Sequence, residues 1–554
     1  MAPATRRRRS GGRRPARGGA VAAGAVVLAV AAVAVSVTLG PDNRAATEGG
    51  DGTASASPSS PSSPSSRAAG HEAPSPSPTR SYPLSKTPET IPAVRRHTPA
   101  HGPGWKPGSG ERVVVGDDKL ADEGRLIADE LKLSYGGRAK AGDGDVELAL
   151  APGDGGSESY TMRVSGGRVR ITGPTDAGVF YGTRTLKQEV AGGTAAPEGE
   201  VSDAPAKPQR GFMLDIARKT YSVDWIEDRI RELGDLKFNQ LGLHFSDDQG
   251  FRIESATHPE IVSKDHLSKD QVRALVKLAA SRHIQVVPEL DSPGHLGAVT
   301  DAHPDLQLRN ASGQTLQGTL DISKPGAAKI VDDLLKEYAP LFPGRYWHLG
   351  GDEYLALMSS DPTASYPQLA EAARDKYGAK GTIEDLTTAW LNGRAAVVRP
   401  THESPKAWND GFYDGGSVSP DKDLEVAYWT GKEAGRRDPQ EFLAEGRKLT
   451  NYNDEYLYYV LGQPNDFTYP TGERIYADWT PRVIRGTEPV PAKYDDQILG
   501  GSFAVWGDQP QAQTADQVAA GIKLPLCATS QKLWDAGKPP LSWAAFKGLA
   551  GKVV

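Results

Sequence analysis

Two acidic residues stand side by side at Asp352 and Glu353, directly after the glycine pair Gly350-Gly351. Neighbouring carboxylates repel each other, so one of them tends to hold its proton near neutral pH. Such a pair can protonate a leaving group with one acid and orient a second group with the other. A turn that caps a helix would use the same residues, and this is the more common use of a bare Gly-Asp-Glu sequence. The residues around the pair therefore decide its interpretation.

Further polar and aromatic residues follow strand-like segments of the sequence. They are Asp247, Asp291, His295, Trp408, Trp429, Tyr456, Trp506 and Asp508, with Arg210 at the start of the first segment. Taken alone, each has a structural explanation, such as a surface ion pair for the arginine or a core position for a tryptophan. Together they suit a sugar, because aromatic faces stack on the apolar faces of a sugar ring while polar groups bind its hydroxyls.

Strand-like segments alternate with helical patterns over the second part of the chain. The eight predicted strands cover residues 211–216, 240–245, 285–290, 345–349, 395–398, 424–429, 448–453 and 498–506. Helical apolar spacing lies between them, as in residues 225–238, 269–282 and 327–338. This alternation predicts an α/β fold, a closed (β/α)8 TIM barrel with its active site at the C-terminal ends of the strands. An open doubly wound sheet is the alternative, but it usually has a glycine-rich phosphate loop, which the sequence lacks.

A smaller unit precedes the predicted barrel. Residues 112–115, 146–150, 159–164 and 169–172 have the pattern of strands, and residues 120–133 and 176–190 that of helices. This pattern predicts a small α/β N-terminal domain over residues 111–205, followed by a catalytic barrel over residues 206–554.

The first 110 residues differ in composition from the rest. Seven arginines between Arg6 and Arg17 precede an uncharged apolar run at residues 19–40. This order predicts a signal peptide or an N-terminal membrane anchor over residues 1–40, and either would make the rest of the chain extracellular, secreted or held at the cell surface. Residues 41–110 are rich in Ser, Pro, Ala, Thr and Gly, which predicts a disordered linker.

Charge and cysteine content exclude several classes of partner. The formal net charge of -6 includes the basic leader, so the exported part is more acidic still and a nucleic-acid partner is not expected. Cys527 is the single cysteine, which excludes an internal disulfide. His244, Asp247, Asp291 and His295 could bind a metal, but the HxH and HExxH spacings of zinc sites are missing, so no metal and no cofactor is predicted.

Four motifs resemble those of the β-N-acetylhexosaminidases of glycoside hydrolase family 20. They are Arg210-Gly211 with Leu214-Asp215 and Arg218, then HFSDDQG from His244, PELDSPGH from Pro288, and HLGGDE from His348. The resemblance covers most of the chain that is predicted to be ordered, including the small N-terminal domain. It implies a retaining, substrate-assisted mechanism without an enzyme nucleophile, which departs from the usual two-carboxylate scheme.

The resemblance implies roles for three catalytic residues. Glu353 would be the general acid that protonates the glycosidic oxygen and later activates water. Asp352 would orient the 2-acetamido group, whose carbonyl oxygen attacks the anomeric carbon to form an oxazolinium intermediate. Tyr456 would donate a hydrogen bond to the acetamido oxygen.

The remaining site residues would bind the sugar or support the acids. Arg210 would bind sugar hydroxyls at the base of the pocket. Trp408, Trp429 and Trp506 would enclose the N-acetyl group and the ring. The surrounding network that tunes the acid would consist of His295, Asp291 and Asp247.

Two positions depart from the family pattern. The family often has Tyr-Leu-Asp where this chain has Tyr456-Leu457-Tyr458, and Trp-x-Glu where it has Trp506-Gly507-Asp508. Both changes fall on the side that contacts O4 and O6 of the sugar, where Asp508 is expected to bind substrate. Shortening Glu to Asp withdraws the carboxylate by about one methylene and could open space beyond the terminal sugar.

The predicted function is a retaining exo-β-N-acetylhexosaminidase that acts on terminal β-linked GlcNAc or GalNAc of chitooligosaccharides or glycoconjugates. One alternative is a lacto-N-biosidase or endo-acting relative that releases disaccharides. Another is a cell-surface glycan-binding protein without activity, although a binding protein has no need of the Asp352, Glu353 and Tyr456 set.

Overall fold

The computed structural model describes residues 81–153, 155–432 and 437–553. The predicted leader at residues 1–40 and the linker as far as residue 80 lie outside the described residues. Within the described ranges, no helix is both long enough and apolar enough to cross a membrane.

A seven-stranded sheet with two helices forms the first part of the described chain. Its strands are β1 His97–Pro99, β2 Arg112–Val115, β3 Ser134–Gly137, β4 Val146–Leu150, β5 Tyr160–Ser165, β6 Arg168–Gly173 and β7 Gly199–Asp203, in the order β1-β7-β5-β6-β4-β2-β3. Its helices are α1 Ala121–Leu131 and α2 Asp176–Glu189. Alternation of buried and exposed residues in β5 and β6 places one face of these two strands in an apolar core.

Residues 81–110 correct the predicted extent of the linker. Strand β1 pairs with β7, and Ile91 is fully buried with its N–H donating to Oε1 of Gln188 at 2.7 Å. Trp105 is buried as well, and its ring N–H donates to the carbonyl of Gly144 at 2.8 Å. The Pro-rich composition of the segment predicted disorder, but the burial of these two large apolar side chains stabilises its ordered state.

The remaining strands belong to a closed barrel and its hairpins. They are β8 Gln209–Asp215, β9 Gln240–His244, β10 Ser246–Asp247, β11 Gly250–Phe251, β12 Gln285–Glu289, β13 Gln307–Arg309, β14 Thr315–Leu320, β15 Tyr346–His348, β16 Ser404–Trp408, β17 Glu425–Tyr428, β18 Leu449–Asn451, β19 Tyr458–Val460 and β20 Ile498–Trp506. Eight of them form a ring of parallel strands in the order β18-β17-β16-β15-β12-β9-β8-β20, which the pairing of β18 with β20 closes. Strand β19 adds to β20, also in parallel. The predicted TIM barrel is confirmed.

Helices connect the barrel strands and cover the outside. They are α3 Val223–Asp235, α4 Lys269–Ala280, α5 Gly297–Ala302, α6 Pro325–Tyr338, α7 Pro362–Ser365, α8 Pro367–Tyr377, α9 Ile383–Val398, α10 Pro439–Ala444, α11 Gly472–Asp478, α12 Ala515–Trp534 and α13 Trp543–Val553. Several begin at a side-chain cap; Ser268, for example, forms a capping box with Gln271 at the start of α4.

One predicted strand is wrong. Residues 395–398 lie at the end of helix α9, and the fifth barrel strand is β16 instead. Within this run, Ala395 and Val398 lie on the buried face of a helix that starts at the Thr382 capping box, ten or more residues earlier. Pro405 within β16 made this strand difficult to recognise, since proline cannot donate to a sheet.

Candidate active site

The two adjacent acids lie on a tight loop after strand β15. Gly350 and Gly351 both have positive φ, 65° and 96°, and a Cβ on Gly350 would lie 1.8 Å from Oδ1 of Asp291. The N–H of Gly351 donates to that same oxygen at 2.8 Å. Only glycine allows this close approach. The loop is thereby fixed against Asp291, and it turns Asp352 and Glu353 into the barrel mouth.

His295 connects these acids to a third carboxylate. Its Nδ1 lies 3.3 Å from Oδ1 of Asp247, and its Nε2 lies 3.7 Å from Oδ2 of Asp352 and 3.5 Å from Oε2 of Glu353. Burial disfavours a charge on His295, but Asp247 and Asp352 outweigh burial and raise its pKa well above the usual value. The site therefore holds an imidazolium between its acids.

Asp291 and Asp352 form a second buried pair. Oδ2 of Asp291 and Oδ1 of Asp352 are both buried without a hydrogen-bond partner among the described residues, and a proton on either carboxyl would let the two bond to each other. Burial, and next the charge of Asp352, raise the pKa of Asp291 well above its usual value. Burial also raises the pKa of Asp352, to about 6, although His295 opposes the shift. Asp291 therefore holds the proton, and Asp352 becomes an anion near neutral pH.

A buried chain of polar groups lies behind this first layer. His244 connects Glu289, at 2.5 Å from its Nδ1, to Asp247, at 2.8 Å from its Nε2. The other oxygen of Glu289 accepts from the ring N–H of Trp408 at 2.6 Å. Trp408 is only 1% exposed and packs behind the lining residue Trp506, with ring centroids 5.9 Å apart, so its contact with the sugar stays a prediction.

Arg218, just after β8, is the arginine of the cavity that contacts the acidic network. Its Nη1 lies 3.0 Å from Oδ2 of Asp215, and its Nη2 lies 2.6 Å from Oδ2 of Asp247. Asp215 also accepts from the backbone N–H of Gly507 at 2.9 Å, which ties Arg218 to the loop that carries Asp508. Burial raises the pKa of Asp508, and Arg218 opposes the shift. A guanidinium beside a carboxylate suits paired sugar hydroxyls.

Arg210 lies elsewhere, which corrects its predicted role. It enters β8 at the opposite end from Arg218 and is buried against the N-terminal domain. Its Nη1 and Nη2 bind the two carboxylate oxygens of Glu158 at 2.8 Å and 2.9 Å, and Nη2 lies 3.0 Å from the hydroxyl of Tyr181. Arg210 therefore joins the two domains rather than holding a sugar.

Aromatic rings form one wall of the cavity. The rings of Trp429 and Tyr458 stack with centroids 5.7 Å apart and planes 8° from parallel. Trp506 lies 5.6 Å from Tyr458, and Phe467 continues the stack at 6.3 Å. The cavity has a volume of about 720 Å³, and Asp352 and Glu353 lie in its lining together with these rings. Such a wall presents flat apolar faces to a sugar ring.

Tyr458 lies in the lining of the cavity, whereas Tyr456, the residue predicted to assist the acetamido group, does not. Tyr456 is buried outside the lining, with its ring under the guanidinium of Arg474 at 4.1 Å. Burial, followed by the charge of Asp352, raises the pKa of Tyr458 well above the usual value. Its phenol is therefore a neutral donor in the same lining as Asp352. The sequence signalled this position only as a departure from the family pattern.

Comparison with known proteins agrees with this geometry. Residues 208–536 match the model of the glycosyl hydrolase family 20 catalytic domain, and residues 87–204 match domain 2 of the same family. A lacto-N-biosidase of Bifidobacterium bifidum is 30% identical over 84% of the chain, which spans only 41% of that relative's length. A β-N-acetylhexosaminidase of Cellulomonas fimi is 32% identical over 71% of the chain and 77% of its own length.

Solved structures show the same fold. A β-hexosaminidase of Streptomyces plicatus in complex with the product GlcNAc superposes with a TM-score of 0.68, at 24% identity, over 86% of this chain and 95% of that one. The matched domains, the barrel and the acid pair at its mouth lead to one conclusion: the chain belongs to glycosyl hydrolase family 20.

Proposed function

We propose that the protein hydrolyses terminal β-linked N-acetylhexosaminides with retention of configuration, using the substrate's own acetamido group as nucleophile. The observation that carries this proposal is the contact of one imidazole with both acids, His295 with Asp352 and with Glu353. Two carboxylates on one loop and beside one imidazole lie on the same side of a sugar. The usual mechanisms place the acids on opposite faces, roughly 5–9.5 Å apart, so the nucleophile has to come from the substrate.

The first step forms a ring within the substrate. Glu353 donates its proton to the glycosidic oxygen, and the bond from this oxygen to the anomeric carbon breaks. The acetamido oxygen attacks the anomeric carbon at the same time, which gives an oxazolinium ion. His295 stabilises the carboxylate that remains on Glu353, because its Nε2 lies 3.5 Å from Oε2.

Asp352 serves the acetamido group in this step. As an anion it accepts the acetamido N–H and stabilises the positive charge that develops on the oxazolinium. Asp291 keeps it in place by donating a hydrogen bond, and burial makes the Coulomb interaction stronger than in water. Tyr458, which lies in the same lining, donates to the acetamido oxygen from the aromatic side of the cavity.

The second step restores the enzyme. Glu353, now a carboxylate, removes a proton from water as the water attacks the anomeric carbon. The bond to the acetamido oxygen breaks, and the sugar leaves with its original β configuration. Two inversions at one carbon account for the retention.

A panel of aryl glycosides tests this proposal. Turnover of the aryl β-glycoside of N-acetylglucosamine with no measurable turnover of the glucoside supports participation of the acetamido group. Equal rates on both would contradict it. The variant Glu353→Gln distinguishes an enzyme from a glycan-binding protein, because it strongly lowers the turnover of N-acetylglucosamine oligomers and leaves their binding intact.

Release of a disaccharide is the second candidate function. The cavity of about 720 Å³ exceeds the space that one hexosamine needs, and it continues past Tyr458 to Phe467 and Arg474. Asp508 is shorter than the glutamate expected at this position, which leaves more space beyond the terminal sugar. The similarity to a lacto-N-biosidase also supports release of a disaccharide. Turnover of an aryl galactosyl-N-acetylglucosaminide, but not of the aryl monosaccharide, would establish this function.

The N-terminal sequence supports a proposal about location. Arginines followed by an apolar run at residues 19–40 suit export with cleavage or retention of this segment. Fractionation of cells that express the full chain tests it. Activity in the medium or on the cell surface agrees with export, and activity confined to the cytosol contradicts it.

A further inference from the structure

A cluster of two imidazoles and one carboxylate lies apart from the acid pair. It consists of His258 and Glu260, at the 3-10 turn Pro259–Ile261, and His303, at the end of helix α5. Nδ1 of His258 lies 3.0 Å from Oε1 of Glu260, and Nε2 of His303 lies 2.9 Å from the same oxygen. Three potential ligand atoms from two different loops thus converge on one point.

We propose that this cluster binds a divalent transition-metal ion of the zinc type. Imidazole nitrogen and carboxylate oxygen are common zinc ligands, at about 2.0–2.2 Å, so ligand atoms on a tetrahedral ion lie about 3.3 Å from each other. The two nitrogen–oxygen distances in the cluster, 3.0 Å and 2.9 Å, are only a few tenths of an ångström shorter. Other clusters in the described chain contain one histidine each, whereas this one contains two, which favours a transition metal over calcium or magnesium.

A second carboxylate supports the proposed ligand His258. Its other ring nitrogen, Nε2, is enclosed by protein and lies 3.6 Å from Oδ2 of Asp333. Ligating histidines usually direct their second nitrogen to a carboxylate, which fixes the ring and the tautomer. Asp333 is itself held by Lys329 on helix α6. With Nε2–H facing Asp333, the lone pair of Nδ1 faces Glu260.

The cluster is open to solvent on one side. The side chains of Glu260 and His303 are 42% and 30% exposed, whereas that of His258 is 16% exposed. An ion can therefore enter from solvent, and water completes its coordination. Three protein ligands with a water in the fourth position make an ordinary zinc coordination.

The position of the cluster indicates a positioning role for the ion. Helix α5, of six residues, separates His303 from the segment that carries His295. At the other end of this helix, the N–H of Gly297 donates to Oδ1 of Asp248 at 3.1 Å. An ion at His303 would fasten the far end of α5 to the loop of His258. Helix α5 would then be held at both ends, by Asp248 at its start and by the ion at its end, and this would fix the adjacent segment that carries His295.

Calorimetry on chelator-treated full-length protein tests the site. Zn²⁺ is titrated into the wild type, into Glu260→Gln and His303→Ala, and into the control His266→Ala. His266 lies in the same loop as His258 and is exposed, with its Nδ1 bonded to the carbonyl of Ser263. We expect one zinc per chain and a higher Tm in the wild type and the control, and loss of both effects in the two ligand variants.

The variant Asp333→Asn tests the supporting carboxylate. It should weaken zinc binding roughly 10–100-fold without abolishing it, as changes next to a ligand do. Co²⁺ in place of Zn²⁺ should give the visible absorption bands that are typical of cobalt with a low coordination number. The variant His303→Ala should remove these bands. Mg²⁺ should not raise the Tm. Zinc that binds equally to wild type and His303→Ala, or fails to bind wild type, would overturn the proposal; the first result would place the zinc at another site.

Discussion

Nε2 of His295 lies 3.5 Å from Oε2 of Glu353. The imidazole faces Asp247 on its other side, and the raised pKa of His295 keeps it positively charged. A general acid beside a cation gives up its proton to a leaving group more easily, because the carboxylate that forms is stabilised. The fixed positive charge of His295 therefore stabilises the carboxylate form of Glu353, which each turnover produces in its first step and protonates again in its second.

Glu353→Gln removes the proton donor and keeps the shape of the side chain. We expect kcat on an N-acetylglucosamine oligomer to fall roughly 10²–10⁴-fold, which is the usual contribution of general acid catalysis. An aryl glycoside with a good leaving group should lose less, because its departure needs less protonation. Wild-type rates on both substrates would show that another residue is the acid.

Asp352→Asn tests the orientation of the acetamido group. The neutral amide can still hydrogen-bond, but it cannot balance the charge of the oxazolinium, so we expect kcat to fall roughly 10²–10³-fold. The aryl glycoside with a good leaving group should suffer as much as the oligomer, in contrast to Glu353→Gln. A loss confined to the poor leaving group would assign Asp352 to proton transfer instead.

The pH dependence should report the buried pair of Asp291 and Asp352. Asp352 has to be an anion, and its pKa of about 6 means that the active form declines as the pH falls through this value. We expect kcat/KM to decrease about tenfold per pH unit below that point. The pH profile of the wild type on the aryl N-acetylglucosaminide measures this limb.

Variants of Asp291 identify which acid holds the proton. Asn imitates the protonated form of Asp291, so Asp291→Asn should leave the acidic limb nearly unchanged. Asp291→Ala removes a donor that lowers the pKa of Asp352, so the limb should move to higher pH. A large move to lower pH in Asp291→Asn would mean that Asp291 is ionised in the active enzyme.

The barrel and the acid pair could be predicted because their signals are local. Residues 498–506 alone define β20, and Asp352 and Glu353 are adjacent in the chain. The fifth strand was harder to predict from the sequence, because β16 contains a proline and an apolar helix end precedes it. An apolar run of four residues does not distinguish a strand from a buried helix face.

The two differences between the predicted and the observed positions of site residues have a common cause. Arg210 and Arg218 flank the same strand, and only the direction of β8 shows that Arg218 is at the C-terminal end, where the cavity lies. Tyr456 and Tyr458 lie just before and at the start of β19, and residues two apart can differ in whether they reach the cavity. The residues that hold these side chains away from the cavity are distant in sequence: Glu158 binds Arg210, and Arg474 packs on Tyr456.

Arg210→Met separates stability from activity. The change leaves the carboxylate of Glu158 without its charged partner, and removing one partner of a buried pair costs about 3–5 kcal/mol in the free energy of unfolding. We expect a lower denaturation midpoint and an unchanged KM for the protein that remains folded. Arg218→Met serves as the contrast and should raise KM. A raised KM with normal stability for Arg210→Met would restore its role in the pocket.

Tyr458→Phe and Tyr456→Phe decide which tyrosine assists the acetamido group. Phenylalanine preserves the stacking of ring 458 on Trp429 and removes only the hydroxyl that lies in the cavity. We expect kcat to fall about 10²-fold in Tyr458→Phe, as for loss of one donor to a developing charge, and to stay close to wild type in Tyr456→Phe. Thermal unfolding of both variants checks that the folds are intact. The opposite order of rates would return the role to Tyr456 and would require its ring to leave Arg474 when substrate binds.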